Sequence, residues 1–109
     1  MNYRFLDKLL SIIKKNKNLS PKISYTAKLY KSGIRFCKKK FHEEVLEFLN
    51  SFSQRKKNSI HEAADVIYHY LVLLERRNIE FKDVLKELKN RNKISGIKEK
   101  LNRKNVRSK

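Results

Sequence analysis

A helix drawn from residue 59 to about residue 77 is apolar nearly all the way round its middle. Ile60, Ala63, Ala64, Ile67, Leu71 and Leu74 form one stripe, and Val66, Val72 and Leu73 fall on other sides. A helix of that kind is surrounded by others rather than laid on a surface. Just upstream, Ile34, Cys37, Phe41, Val45, Phe48 and Phe52 recur in steps of three and four, which predicts a helix over about 34–53. Only the polar run SQRKKN separates the two, so they pair as an antiparallel hairpin.

The rest of the chain supplies smaller helices. Phe5, Leu6, Leu9, Leu10, Ile12 and Ile13 give an amphipathic helix ending near 16–18. The stretch LSPKIS then reads as a linker broken by Pro21. A short helix over about 25–31 is stopped by Gly33. Another, over about 81–91, carries Val84, Leu85 and Leu88. Two glycines and one proline in 109 residues are too few for a turn-rich β fold. The expected architecture is all-α, a bundle of about five helices in one domain over residues 1–92. At this length a chain buries roughly two-thirds of its unfolded surface. From Lys93 onward the sequence is basic and sparsely apolar, and residues 93–109 read as a mobile tail.

Charge is the most conspicuous property of the composition and the least decisive. The chain carries 28 Lys and Arg against 11 Asp and Glu, a formal net charge of +17. Such a surplus suits a nucleic-acid binder, steers a small polyphosphate, or merely fills solvent-facing positions. Cys37 is the only cysteine, which excludes an internal disulfide and a cysteine-based metal site and suits a reducing cytoplasm. No leader peptide and no membrane span are expected from the N-terminal sequence.

Against this basic background, five of the 11 acids fall in one short stretch: Glu43, Glu44, Glu47, Glu62 and Asp65. Glu44 and Glu47 are spaced i, i+3, and so are Glu62 and Asp65, which places each pair on one helix face. The hairpin brings the pairs together. Four carboxylates with no cationic neighbour in sequence call for a hard divalent cation, Mg²⁺ or Mn²⁺, rather than zinc. Asp65 and His69 are expected to lie among apolar neighbours, where an uncompensated carboxylate costs several kcal/mol.

Simpler readings exist for parts of this pattern. Ser59-Ile60-His61-Glu62 fits a capping box that would occupy Glu62 at a helix start. Surface ion pairing would account for Glu43, Glu44 and Glu47. Neither covers Asp65 or the repetition of the pair. HEAAD is similar to the HExxH zinc-protease motif, but Asp65 stands where the second imidazole is needed. His42 and His61 read as surface residues, and His69 as a hydrogen-bonding histidine able to support Asp65. Lys38, Lys39 and Lys40 lie one turn before Glu43, where an ammonium can hold phosphate oxygens.

These residues resemble a family. SYTAKLYKSGIRFCKKKFHEEVLEFLNS followed by IHEAADVIYHYLVLLERRNIEFKDVLKELKNR is similar to the phosphoribosyl-ATP pyrophosphohydrolases of histidine biosynthesis. Those belong to the all-α NTP pyrophosphatase (MazG-type) superfamily. Glu44, Glu47, Glu62 and Asp65 match the superfamily pattern, and SYTAKL, Lys39-Lys40 and EAAD…YH…LVLL the narrower family. His42 departs from it, where the family usually has a small residue. The resemblance implies Mg²⁺-dependent hydrolysis of phosphoribosyl-ATP to phosphoribosyl-AMP and pyrophosphate, by a helical homodimer. It implies metal ligation by Glu44, Glu47, Glu62 and Asp65. Glu43 or one of those four would orient the water. Lys39 and Lys40 would engage phosphates, and Ser24, Tyr25 and Thr26 would border the nucleotide.

Two alternatives set the tests. One is a general nucleoside triphosphate pyrophosphatase of the same superfamily, against which SYTAKL argues. The other is a non-catalytic basic nucleic-acid binder, which leaves the carboxylate cluster without a purpose, since it would repel phosphates.

Overall fold

A computed structural model of the protein describes residues 4–92. Those residues form five α-helices: α1 (Arg4–Asn16), α2 (Tyr25–Lys31), α3 (Ile34–Asn50), α4 (Lys56–Arg76) and α5 (Phe81–Asn92). A 3₁₀ turn, Ser51–Ser53, follows α3, and no strand occurs among the described residues. The expected all-α architecture is present. The proposed tail, 93–109, lies outside the described residues. The chain divides into one unit ending at Ile79 and another beginning at Glu80, so α1 to α4 form the first and α5 belongs to the second.

Local chemistry sets most helix ends in the first unit. Ser24 has extended backbone and its Oγ accepts the Ala27 N–H at 3.1 Å, the arrangement that satisfies an orphan donor at a helix start. Gly33 precedes α3 with φ +94°, a conformation that L side chains rarely adopt. At the end of α4, Asn78 takes φ 63°, its N–H donates to Glu75 O, and Ile79 N–H donates to Leu74 O. This is a Schellman closure with asparagine in the left-handed position.

The start of α4 differs from expectation. The helix begins at Lys56 with Arg55 as cap, so Ser59 lies inside it and forms no capping box with Glu62. Ser59 Oγ instead donates to Ser51 O at 3.2 Å and sits 2.8 Å from Ser51 Oγ, while Ser51 Oγ donates to Phe48 O at 2.6 Å. The two serines close the α3–α4 hairpin. The polar run that reads as a loop shrinks to Gln54 and Arg55, because lysines and asparagine tolerate an exposed helix start.

The core is small and lies where α1, α2 and α3 meet the second half of α4. Ile13, Ala27, Leu29, Cys37, Leu71 and Val72 are its buried apolar side chains. The Cys37 thiol donates to Leu29 O at 3.1 Å, and burial pushes its pKa up, which makes it an inert packing residue. The first half of α4 behaves otherwise. Ile60 and Ile67, expected to face a core, are 70% and 52% exposed within the chain, and Phe52 on the hairpin turn is 67% exposed.

An ion cluster fastens α1 to α4. Glu75 is buried and accepts hydrogen bonds from Lys14 Nζ at 3.1 Å and Lys17 Nζ at 2.5 Å. Burial alone would raise the Glu75 pKa, but the two ammonium groups outweigh it and hold it below the usual value. A lowered folded-state pKa contributes stability that is present above the ordinary carboxylate range and is lost as pH falls through the folded value. Glu75→Gln is therefore expected to destabilise the fold by about 1–2 kcal/mol at neutral pH, a figure kept modest because the Lys14 side chain is 45% exposed. Urea unfolding of both proteins across the acid range checks this. The gap should close as Glu75 protonates, and a gap that persists undiminished into strong acid would contradict the account.

Candidate active site

The second half of α3 supplies Glu43, Glu44 and Glu47, and the first half of α4 supplies Glu62 and Asp65. Packing of the two helices brings the acids of both together. One oxygen each from Glu44, Glu47 and Glu62 lie within 4.8 Å of one another. A second grouping of the same span joins ligand atoms of His61, Glu62 and Asp65. Glu62 belongs to both.

Its environment is unusual for a carboxylate in a basic protein. Glu62 Oε2 is buried and has no hydrogen-bond partner among the described residues. A buried carboxylate oxygen with nothing to accept is costly, and a cation would satisfy it. Nearby, burial pushes the Glu44 carboxyl up, Glu47 and Asp65 add repulsion, and His69 partly opposes the shift. Like charges held this closely disfavour full ionisation.

Glu43 stands apart from both groupings. Its Oε2 accepts from Lys40 Nζ at 3.1 Å, a pair one turn apart on α3 that raises the Lys40 pKa. Lys39 is exposed on the same helix. From α2, Ser24 Oγ serves as the helix cap, and Thr26 Oγ1 is hydrogen-bonded to the Tyr68 hydroxyl. The Tyr25 hydroxyl borders the acids: burial raises its pKa, Lys40 opposes this, and Glu44, Asp65 and Glu43 add to it.

Two features depart from the sequence expectation. The Asp65 side chain is 40% exposed, so it is not sealed among apolar groups: the buried side chains of α4 are His69, Leu71, Val72 and Glu75, all C-terminal to it. Its carboxylate is approached by His61 Nε2 at 3.5 Å rather than by His69. His69 Nδ1 contacts the Asp65 backbone carbonyl at 2.9 Å instead. His61 is exposed, as expected, but it also stands at the edge of the site, a placement its i, i+4 spacing to Asp65 could have signalled. His42 is exposed.

The sequence pattern of phosphoribosyl-ATP pyrophosphohydrolase matches residues 6–92, most of the chain and all of the residues just described. The chain belongs to the phosphoribosyl-ATP pyrophosphohydrolase family. Relatives agree with the assignment. The chain is 43% identical over 90 residues to a phosphoribosyl-ATP pyrophosphatase of Ignicoccus hospitalis, covering 82% of this chain and 88% of that one. It is 38% identical over 96 residues to a phosphoribosyl-ATP pyrophosphatase of Rhodobacter capsulatus, covering 87% and 93%. It is also 42% identical over 93 residues to the histidine biosynthesis bifunctional protein HisIE of Campylobacter jejuni, covering 84% of this chain and 45% of that longer protein. In this pyrophosphohydrolase family member, no helix among the described residues is long and apolar enough to cross a membrane.

Proposed function

We propose that this chain hydrolyses phosphoribosyl-ATP to phosphoribosyl-AMP and pyrophosphate in histidine biosynthesis, with Mg²⁺ or Mn²⁺ held by Glu44, Glu47, Glu62 and Asp65. One observation carries the reading: in a chain of this family, oxygens of both acid pairs converge on a shared Glu62, whose Oε2 is buried and has no hydrogen-bond partner among the described residues. The donor set fits a hard cation, being carboxylate oxygen throughout apart from the exposed His61. When bound, such a cation neutralises triphosphate charge and polarises the attacked phosphorus.

The chain's own groups divide the remaining work. Without a cation the four carboxylates would repel a polyphosphate, so substrate enters only where negative charge is balanced. Lys39 and Lys40 hold phosphate oxygens as point charges, and Lys40 shares its ammonium with Glu43. Glu43, outside both groupings and steadied by Lys40, is assigned to orient the attacking water and take its proton. Ser24 and Thr26 hold the first turn of α2 in place, which sets Tyr25 against the acids.

A homodimer belongs to this reading. Ile60, Ile67, Phe52, Leu46 and Leu49 are exposed on α4, the hairpin turn and α3, and an apolar groove of about 430 Å³ runs between Phe48, Phe52, Ile60 and Ala63. Surface of this kind is covered in solution by another chain more often than left to water. The catalytic unit is taken to span residues 1–92 and to work in the cytoplasm, which a lone buried cysteine suits.

Purified protein offered phosphoribosyl-ATP beside ordinary nucleoside triphosphates tests the assignment. Pyrophosphate should appear with phosphoribosyl-ATP at a kcat/KM at least about 100-fold above that for ATP, a margin reachable where polar groups recognise the extra sugar phosphate. Equal turnover of all triphosphates would make the enzyme a general pyrophosphatase. Salt-sensitive binding of duplex DNA with no pyrophosphate release would replace the enzymatic reading altogether.

A further inference from the structure

His69 is 7% exposed and engaged at both ring nitrogens. Nδ1 lies 2.9 Å from the Asp65 carbonyl oxygen, and Nε2 lies 3.3 Å from the Tyr25 hydroxyl. A backbone carbonyl only accepts, so Nδ1 carries the proton. In the neutral ring Nε2 is then bare and can only accept. The Tyr25 hydroxyl must therefore donate its single proton to His69, leaving its oxygen with lone pairs alone.

The surroundings fix that oxygen in direction as well as polarity. Tyr25 stacks on Tyr68 with centroids 6.1 Å apart and meets the His69 ring edge-on at 5.9 Å. Tyr68 is in turn hydrogen-bonded to Thr26, the residue after Tyr25 on α2. His69 spans from Asp65 to the phenol through its two ring-nitrogen contacts, so the Tyr25 hydroxyl stands one ring away from a member of the carboxylate cluster. Lys40 already donates to Glu43.

We infer that His69 is a positioning residue that locks the Tyr25 hydroxyl as an obligate hydrogen-bond acceptor at the rim of the carboxylate cluster. This rests on the cluster being the reaction site. An acceptor flanked by carboxylates repels phosphate oxygens and selects an O–H donor. That donor is a sugar hydroxyl of the nucleotide or the attacking water. The device needs both hydrogen bonds: losing the carbonyl contact frees the tautomer, and losing Nε2 frees the phenol proton to turn toward the carboxylates.

Nitrogen-15 NMR of the imidazoles tests the tautomer without any reaction. One of the three histidines should carry its proton on Nδ1, and the assignment should vanish in His69→Leu. An Nε2-protonated His69 in the wild-type protein would overturn the proposal. In kinetics, Tyr25→Phe and His69→Leu should each lower kcat/KM roughly tenfold, the worth of one oriented hydrogen bond. The double variant should be no worse than the poorer single, since both remove the same contact. His69→Gln should recover much of the loss, because its amide oxygen can accept from the phenol. A rise in KM alone identifies the sugar hydroxyl as donor, and a fall in kcat identifies the water. Multiplicative losses in the double variant, or no rescue by a folded His69→Gln, would also overturn it. Failure of the cluster assignment reads out separately, as full turnover in Glu62→Gln with the His69 tautomer unchanged.

Discussion

Replacing Glu62 by glutamine is expected to cut pyrophosphate release at least about 100-fold while leaving helical content intact, since a bound cation supplies several kcal/mol of transition-state stabilisation. Glutamine keeps the size and one oxygen but removes the charge that both groupings of ligand atoms share. No other acid of the site sits in both, so Glu44→Gln, Glu47→Gln and Asp65→Asn should each cost less than Glu62→Gln. A second readout separates ligation from chemistry. Two unit charges 4 Å apart repel by about 4 kcal/mol at an effective dielectric near 20, so the empty cluster opposes folding and a cation relieves it. Millimolar Mg²⁺ should raise the melting temperature of the wild-type protein and have far less effect on Glu62→Gln. Near-normal turnover in Glu62→Gln, or melting indifferent to Mg²⁺ and Mn²⁺ in both proteins, would remove the metal assignment.

Ile67→Asp should turn a dimer into a monomer. Ile67 is 52% exposed and lies two turns along α4 from the still more exposed Ile60, on the same stripe that enters the core one turn later at Leu71. A charge placed in a buried interface without a partner costs several kcal/mol, enough to shift a micromolar dimer by three orders of magnitude or more. Sedimentation of the wild-type protein at micromolar concentration should give twice the mass found for Ile67→Asp. Thermal stability should fall with it, because the α3–α4 face would be left to water. A wild-type chain that sediments as a monomer would refute the dimer outright. Lys56→Glu, at the polar edge of the same groove, serves as a control that changes charge without burying it.

Much of the fold was legible because its determinants are local. Apolar residues at three- and four-residue steps, Ser24 before α2 and Gly33 before α3 mark helix boundaries through the backbone geometry of single segments. The α2 boundaries agree to the residue with those the sequence predicts. The boundary that moved, the start of α4, lacked such a marker. Ser59 carries the chemistry of a cap, but the contact that uses it comes from Ser51 in the preceding helix turn, which no local pattern announces.

Helical periodicity alone places Glu44 and Glu47 on one helix face, and likewise Glu62 and Asp65, because 3.6 residues per turn fixes the direction of each side chain relative to its neighbours. It could not determine how one helix is rotated against another. That rotation is set by the packing of Leu29, Cys37, Leu71 and Val72, contacts made between helices rather than within one. Packing between helices is therefore what joins Glu62 to two ligand groupings and carries His69 from the Asp65 carbonyl on to Tyr25. The same packing left Ile60 and Ile67 uncovered within the chain. Spacing along a helix is a local property, whereas convergence between helices is a property of the core that holds them.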